Sequence, residues 1–174
     1  MHIHRFEKIW IGLSLLLIAC FVGIVLYGFA VLDLKVPGIE DSDPVDPVAL
    51  HETDFATPGT RQVGDNKYEV YMVARQFLFM PGTGQPLVLP EGAEVKFHVT
   101  SPDVLHGLHL AGTNVNVTVV PGQVSKFTTR FSESGEYGMI CHEYCGPAHH
   151  TMEGLIKVVP KSEFDSQYLV DASR

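Results

Sequence analysis

Cys141–Met152 reads CHEYCGPAHHTM. These twelve residues hold two cysteines, two histidines, a glutamate and a methionine, so that most of them carry a donor atom for a metal. GEYGMI (135–140) precedes the stretch and GLIKVV (154–159) follows it. Both flanks are short runs rich in β-branched and aromatic residues, the composition of strands. The stretch is therefore expected as a loop joining two strands, where a rigid sheet holds binding groups in place.

Further from the loop the same texture continues. YEVYMVA (68–74), EVKFHVT (94–100), VNVTVV (115–120) and VSKFTTR (124–130) are short, and several alternate at period two. In EVKFHVT, Val95, Phe97 and Val99 fall on one strand face and Lys96, His98 and Thr100 on the other. PGTG (81–84), PEG (90–92), PG (121–122) and SG (134–135) supply turns between the runs. Six or more short strands at this spacing predict an all-β antiparallel sandwich or barrel over residues 67–160. The polar tail 161–174 is expected to hold at most a short helix.

The N-terminal part has another character. Ile9 to Leu32 is 24 residues without a charge, enough as one helix to cross a hydrocarbon core of roughly 30 Å. Arg5 and Lys8 precede it. Asp33, Glu40, Asp41, Asp43 and Asp46 follow, with only Lys35 among them. The positive-inside rule then predicts a single-pass membrane protein with residues 1–8 in the cytoplasm and the β domain on the outer, periplasmic face. A cleaved signal peptide has a shorter apolar region and a small-residue cleavage site, and neither is present. LIAC (17–20) resembles a lipoprotein cleavage box, but a dozen apolar residues continue past Cys20. Residues 33–66 are acidic and punctuated by Pro37, Pro44, Pro47 and Pro58; they are expected as an extended linker.

The net charge of −8 leaves no basic stripe for phosphates and excludes nucleic acid as an expected partner. Three cysteines, Cys20, Cys141 and Cys145, do not make a disulfide framework.

Several metal sets fit the loop. One copper would take Cys145, His149, Met152 and the upstream His106 of SPDVLHGLHL (101–110), a set of imidazoles, thiolate and weak thioether. That leaves Cys141 as a spare thiol exposed to oxidation. Two copper ions would use both thiolates, with His106 and His149 as imidazoles, Met152 and the Glu143 carbonyl as weak donors. A zinc site and a plain Cys141–Cys145 disulfide are the remaining alternatives; the first usually spaces its cysteines and histidines otherwise, and the second leaves the His and Met unexplained. Asp103 is a candidate acceptor supporting the loop that bears His106. His109 is expected as a hydrogen-bonded neighbour, His142 and His150 as exposed loop residues, and His98 as an ordinary strand residue.

C-x-E-x-C-G-x-x-H-x-x-M with an upstream S-P-D-V-x-H-G resembles the CuA-binding pattern of cytochrome c oxidase subunit II over most of residues 66–159. The resemblance implies a cupredoxin-like Greek-key fold and a dinuclear copper site at His106, Cys141, Glu143 (through its carbonyl), Cys145, His149 and Met152. It implies a function too: electrons from a carrier such as cytochrome c arrive at this site. They pass to heme in a partner subunit I, where oxygen is reduced to water and protons are pumped. One membrane helix instead of two resembles the B-family (ba-type) oxidases, and FEKIWIGLSL (6–15) resembles the start of their anchor, which places Glu7 at a proton path. In many relatives the glutamate between the cysteines also meets magnesium, which the B-family typically lacks; magnesium at Glu143 stays open. Many relatives receive electrons at a tryptophan, but the one tryptophan here is Trp10, in the anchor. Phe77, Phe79, Tyr137 and Tyr144 are aromatic substitutes on chemistry alone, and such residues are more often core. With no heme-attachment motif, the chain is not expected to perform oxygen chemistry by itself. A free membrane-tethered copper carrier and a copper-delivery protein are the competing classes. A nitrous-oxide reductase shares the copper motif but needs a large further domain.

Overall fold

The computed structural model describes residues 4–31 and 43–170. The expectations for residues 1–3, for Leu32 and the first ten linker residues, and for 171–174 lie outside the described residues. The chain divides into two compact units, 1–36 and 37–174.

In the first unit, helix α1 spans Arg5–Val31. Its 27 residues rise roughly 40 Å, longer than a bilayer core. Its mean hydropathy reaches 2.8, and large apolar side chains such as Leu16 and Phe21 are exposed all around it. A helix apolar on every face needs a nonaqueous environment. It begins four residues before the apolar run, because Arg5 to Lys8 continue its hydrogen bonding at no cost to solvation. Glu7 lies in the first turn and accepts from the His4 amide at 2.7 Å, which complements the positive end of the helix dipole.

The second unit is a β-sandwich. Its strands are β1 (Gly59–Gly64), β2 (Lys67–Arg75), β3 (Leu78–Met80), β4 (Leu87–Pro90) and β5 (Glu94–Thr100), then β6 (His106–Leu110), β7 (Asn116–Val119), β8 (Ser125–Arg130), β9 (Gly135–Ile140) and β10 (Glu153–Val159). One sheet has the order β1-β2-β5-β8, with β3 also paired to β2; the other runs β4-β10-β9-β6-β7. Two pairs, β2 with β5 and β4 with β10, are parallel, so the sandwich is mixed where the run spacing predicted an antiparallel one. The intervening strands cross to the opposite sheet and return, which is how parallel neighbours are joined without a helix.

Val95, Phe97 and Val99 face the core as their alternation predicts. Phe97 stacks on Phe127 with centroids 4.9 Å apart, and Phe79, Leu89, Leu108, Met139 and Ile156 complete the filling between the sheets. Each such side chain contributes about 1.5–3 kcal/mol by leaving water.

Part of the stretch read as linker carries structure of its own. Pro44 bridges to Gln123, and single turns of 3-10 helix form at Leu50–Glu52 and Asp54–Ala56 before β1. Leu50 and Phe55 bury against Val73 and Val124. Isolated apolar residues between polar ones carry no period, which is why the sequence reads as linker there. In the tail, Phe164 packs edge-on against Tyr68, the only helical turn among the described residues is Ser166–Tyr168, and Leu169 bridges to Thr60.

Candidate metal centre

The order β10-β9-β6 builds the site. β9 is antiparallel to both neighbours, with Ile140 opposite Glu153 at the start of β10 and opposite His109 in β6, so the first residues of β6 run on past the end of β9 toward the β9–β10 loop. His106, expected in a loop, is the first residue of β6. Cys141 follows the last residue of β9, and Met152 precedes the first of β10. Between them His149 opens a turn of 3-10 helix. Residues 35 apart in sequence therefore meet at one end of one sheet.

There the donor atoms converge. Cys141 Sγ lies 3.9 Å from Cys145 Sγ, far beyond the roughly 2.05 Å of a disulfide, and both cysteines are free. Cys141 Sγ is 3.9 Å from His106 Nδ1 and 3.3 Å from the Glu143 carbonyl oxygen. Cys145 Sγ is 3.6 Å from His149 Nδ1 and 3.6 Å from Met152 Sδ. Each sulfur thus has one imidazole nitrogen and one weaker donor beside it. His106, Cys141 and Cys145 alone bring three ligand atoms within 4.8 Å of one another. His106 is completely buried, Cys141, Cys145 and Met152 nearly so, and His149 and Glu143 half-buried.

Burial and the adjacent Cys141 thiol push the Cys145 thiol up to about 11. A thiol crowded in an apolar setting holds its proton, and a cation that displaces it offsets the desolvation. The donor set is soft: two sulfurs of cysteine, one thioether and two imidazoles. It fits copper and rules poorly for magnesium or calcium, which take oxygen.

Asp103 orders the upstream half. Its Oδ1 is 2.9 Å from His106 Nε2, an arrangement that keeps the proton on Nε2 and leaves Nδ1 free to ligate. Partial burial opposes the charge on Asp103, yet hydrogen bonds from the Gln76 amide, the His106 ring, the Val104 amide and the Ser101 hydroxyl hold it below the ordinary carboxylate range.

The aromatic candidates separate by position. Tyr144 is 73% exposed and meets the His149 ring edge-on at 5.8 Å. Phe77 is half-buried against the core. Phe79 is fully buried, so no docked protein reaches it: the inward register of β3 makes it core. Tyr137 lies four residues before Cys141, roughly 13 Å along β9, and packs against Phe131. His109 Nδ1 bonds the Val115 carbonyl at 3.1 Å. His142 is exposed, but a side chain at Gly107 would run into its ring. Gln76 is the residue that sequence reasoning passed over. Its side-chain amide donates to the Cys145 carbonyl, a partner 69 residues away that no local motif announces.

Residues 55–159 match the family model described as cytochrome c oxidase subunit II, periplasmic domain. A cytochrome c oxidase subunit 2 of Thermus thermophilus is 40% identical over 156 residues, covering 88% of this chain and 91% of the relative. Among solved structures, a chain from a cryo-EM structure of a heme-copper terminal oxidase dimer is 34% identical with a TM-score of 0.70, covering 89% of this chain and 100% of its own length. The periplasmic domain of subunit II of a cytochrome oxidase from Bradyrhizobium japonicum shares the fold at a TM-score of 0.52, with 20% identity over 57% of this chain and 89% of that one. With the family model spanning more than half of the chain and a relative matched over nearly its whole length, the chain belongs to the cytochrome c oxidase subunit II family.

Proposed function

We propose that this chain is the electron-accepting subunit of a heme-copper terminal oxidase, holding two copper ions at His106, Cys141, Glu143, Cys145, His149 and Met152. The observation that carries it is the pair of free thiols 3.9 Å apart, each flanked by an imidazole nitrogen and a weak donor. A single copper would leave one of these thiols without a role. Bound there, the copper pair would supply a one-electron couple whose change in charge is shared over two nuclei. The chain's own residues bury the donors, fix the His106 tautomer through Asp103 and bring thiols and thioether together at one place. Glu143 contributes its carbonyl; its carboxylate alone cannot make a magnesium site, which would need ligands from subunit I.

Electrons arrive from a reduced carrier of the cytochrome c type outside the membrane and leave to heme in subunit I. Tyr144, exposed beside His149, is the best placed of the four aromatic candidates to meet the carrier. The flanking charges of α1 orient the N-terminus to the cytoplasm and the β domain to the periplasm. The apolar helix α1 and the likeness to subunit 2 of Thermus thermophilus favour the B-family reading. Glu7, at the cytoplasmic end of α1, would then stand where proton uptake into subunit I begins; in the assembled oxidase Glu7→Gln should slow turnover and leave copper content unchanged.

The test is copper analysis with EPR on the full chain in detergent, loaded under reducing conditions and then oxidised. Two coppers per chain, with one unpaired electron split equally by both nuclei, is the expected result. One copper with single-nucleus splitting would overturn it in favour of a tethered single-copper carrier.

A further inference from the structure

Gln76 contributes no donor, yet it is bonded to both loops that do. It follows β2, and the parallel pairing of β2 with β5 brings both strands to their ends at the same edge of the sandwich, where β5 leads into the Ser101–Leu105 loop. Its main-chain amide donates to Asp103 Oδ2 at 2.8 Å, while Asp103 Oδ1 holds the His106 ring. Its side-chain amide donates to the carbonyl of Cys145. One residue from the first sheet is thereby tied to two ligands of the second, to His106 by way of Asp103 and to Cys145 through main chain.

Gly146 gives an independent sign that this approach is built in. A Cβ there would lie 2.8 Å from Gln76 Nε2 and 3.1 Å from the Phe77 ring, closer than such atoms pack. Its φ of +134° is also one that side chains disfavour. The position next to a ligand cysteine thus holds the one residue that lets Gln76 reach the peptide. Gln76 itself is exposed, so the bond contributes little to folding. Its consequence is geometric.

We propose that Gln76 is a positioning residue for the metal centre: it clamps the Cys145–Gly146 peptide to the loop bearing Asp103 and His106, so that Cys145 Sγ and His106 Nδ1 keep one mutual geometry. The inference rests on the metal-centre reading given above. Gln76→Glu keeps the shape of the side chain but turns an acceptor toward the Cys145 carbonyl, and Gln76→Ala removes the clamp. Gly146→Ala should displace Gln76 from the other side.

The experiment compares these variants with the unaltered full chain in detergent, loaded with copper. It reads the hyperfine splitting, the reduction potential, the rate of copper loss to a chelator and the melting temperature of the metal-free chain. Gln76→Glu and Gln76→Ala should lose copper roughly tenfold faster, in the range seen when groups supporting metal ligands are removed. Their splitting and potential should shift, Gln76→Glu more than Gln76→Ala, with little change in melting temperature. Native splitting, potential and copper loss in both variants would overturn the proposal. So would a lowered melting temperature with a native spectrum, which would make Gln76 merely structural. The copper count of the unaltered chain judges the dinuclear reading separately, because positioning is read from the difference between variant and native whatever that count is.

Discussion

The donors around Cys145 come from β6 and from the β9–β10 loop, all within the sheet ordered β4-β10-β9-β6-β7, whereas the sheet ordered β1-β2-β5-β8 supplies none of them. Its outer face buries polar groups of its own. Arg61 lies 4.3 Å over the Tyr71 ring and pairs with Asp54. Tyr71 in turn stacks on His98, 4.5 Å away and nearly parallel. Burial and the neighbouring Glu69 push the Tyr71 hydroxyl up to about 12, and burial lowers His98. Both regions thus hold ionisable groups out of water, by different means. On the first sheet the positive charge belongs to the chain itself, through Arg61. At the metal centre sulfurs and imidazole nitrogens crowd together with no cation of the chain's own among them, an arrangement suited to an added one. One region carries its counter-charge within the chain, though Arg61 Nε and His98 Nε2 stay without a hydrogen bond; the other takes its charge from a bound cation.

The largest expected effect breaks the metal end alone. On the two-copper reading proposed above, Cys145→Ser should leave at most one copper per chain and no two-nucleus EPR pattern, with the β-sandwich circular dichroism intact. Its counterpart on the first sheet is Phe97→Ala, which should cost about 3–5 kcal/mol in denaturant unfolding while the folded fraction still binds its full copper. If Phe97→Ala lost copper without unfolding, the division between the two sheets would not hold.

A finer cut is Asp103→Ala. Freed from Oδ1, the His106 ring loses its fixed tautomer, and copper affinity measured by chelator competition should fall roughly 10- to 100-fold. Unfolding of the metal-free chain should change far less.

The pH responses should also part. His98 is lowered by burial first, with Lys96 and Lys126 adding to it and Glu69 and Asp54 opposing. A base with a depressed folded value binds its proton more readily in the unfolded chain. Its contribution is therefore fully present above the unfolded value near 6.5 and is lost as pH falls below it. Metal-free protein should unfold at lower denaturant at pH 5 than at pH 7, and His98→Gln should narrow that gap. An unchanged gap would place the pH sensitivity elsewhere.

The smallest effect belongs to Asp54→Asn. Asp54 is largely solvent-exposed where it pairs with Arg61, so screening leaves the pair below about 1 kcal/mol, and copper binding should not respond.

Much of the site was legible from residue types. Cys141, Cys145, His149 and Met152 share one short loop, and spacing within a loop is a local property. The six runs rich in β-branched and aromatic residues became β2, β5, β7, β8, β9 and β10, since such residues favour strands and alternation, where present, records one buried face. β1, β3, β4 and β6 were not legible. LVLP is four residues long and ends on a proline. GTRQVG has little apolar pattern, LFM is too short to show one, and HGLHL looks like a loop until its pairing with β7 and β9 is known.

Composition, period and short-range spacing are written along the chain, and from them alone follow an apolar helix, a β domain and a sulfur- and nitrogen-rich loop. It took the packed sheets to show that His106 opens a strand beside Cys141, that Phe79 is core while Tyr144 faces solvent, and that Gln76 reaches across to Cys145. Those depend on which strands become neighbours and in what register. That choice is made by the burial of distant side chains against each other, and no window of sequence contains both partners.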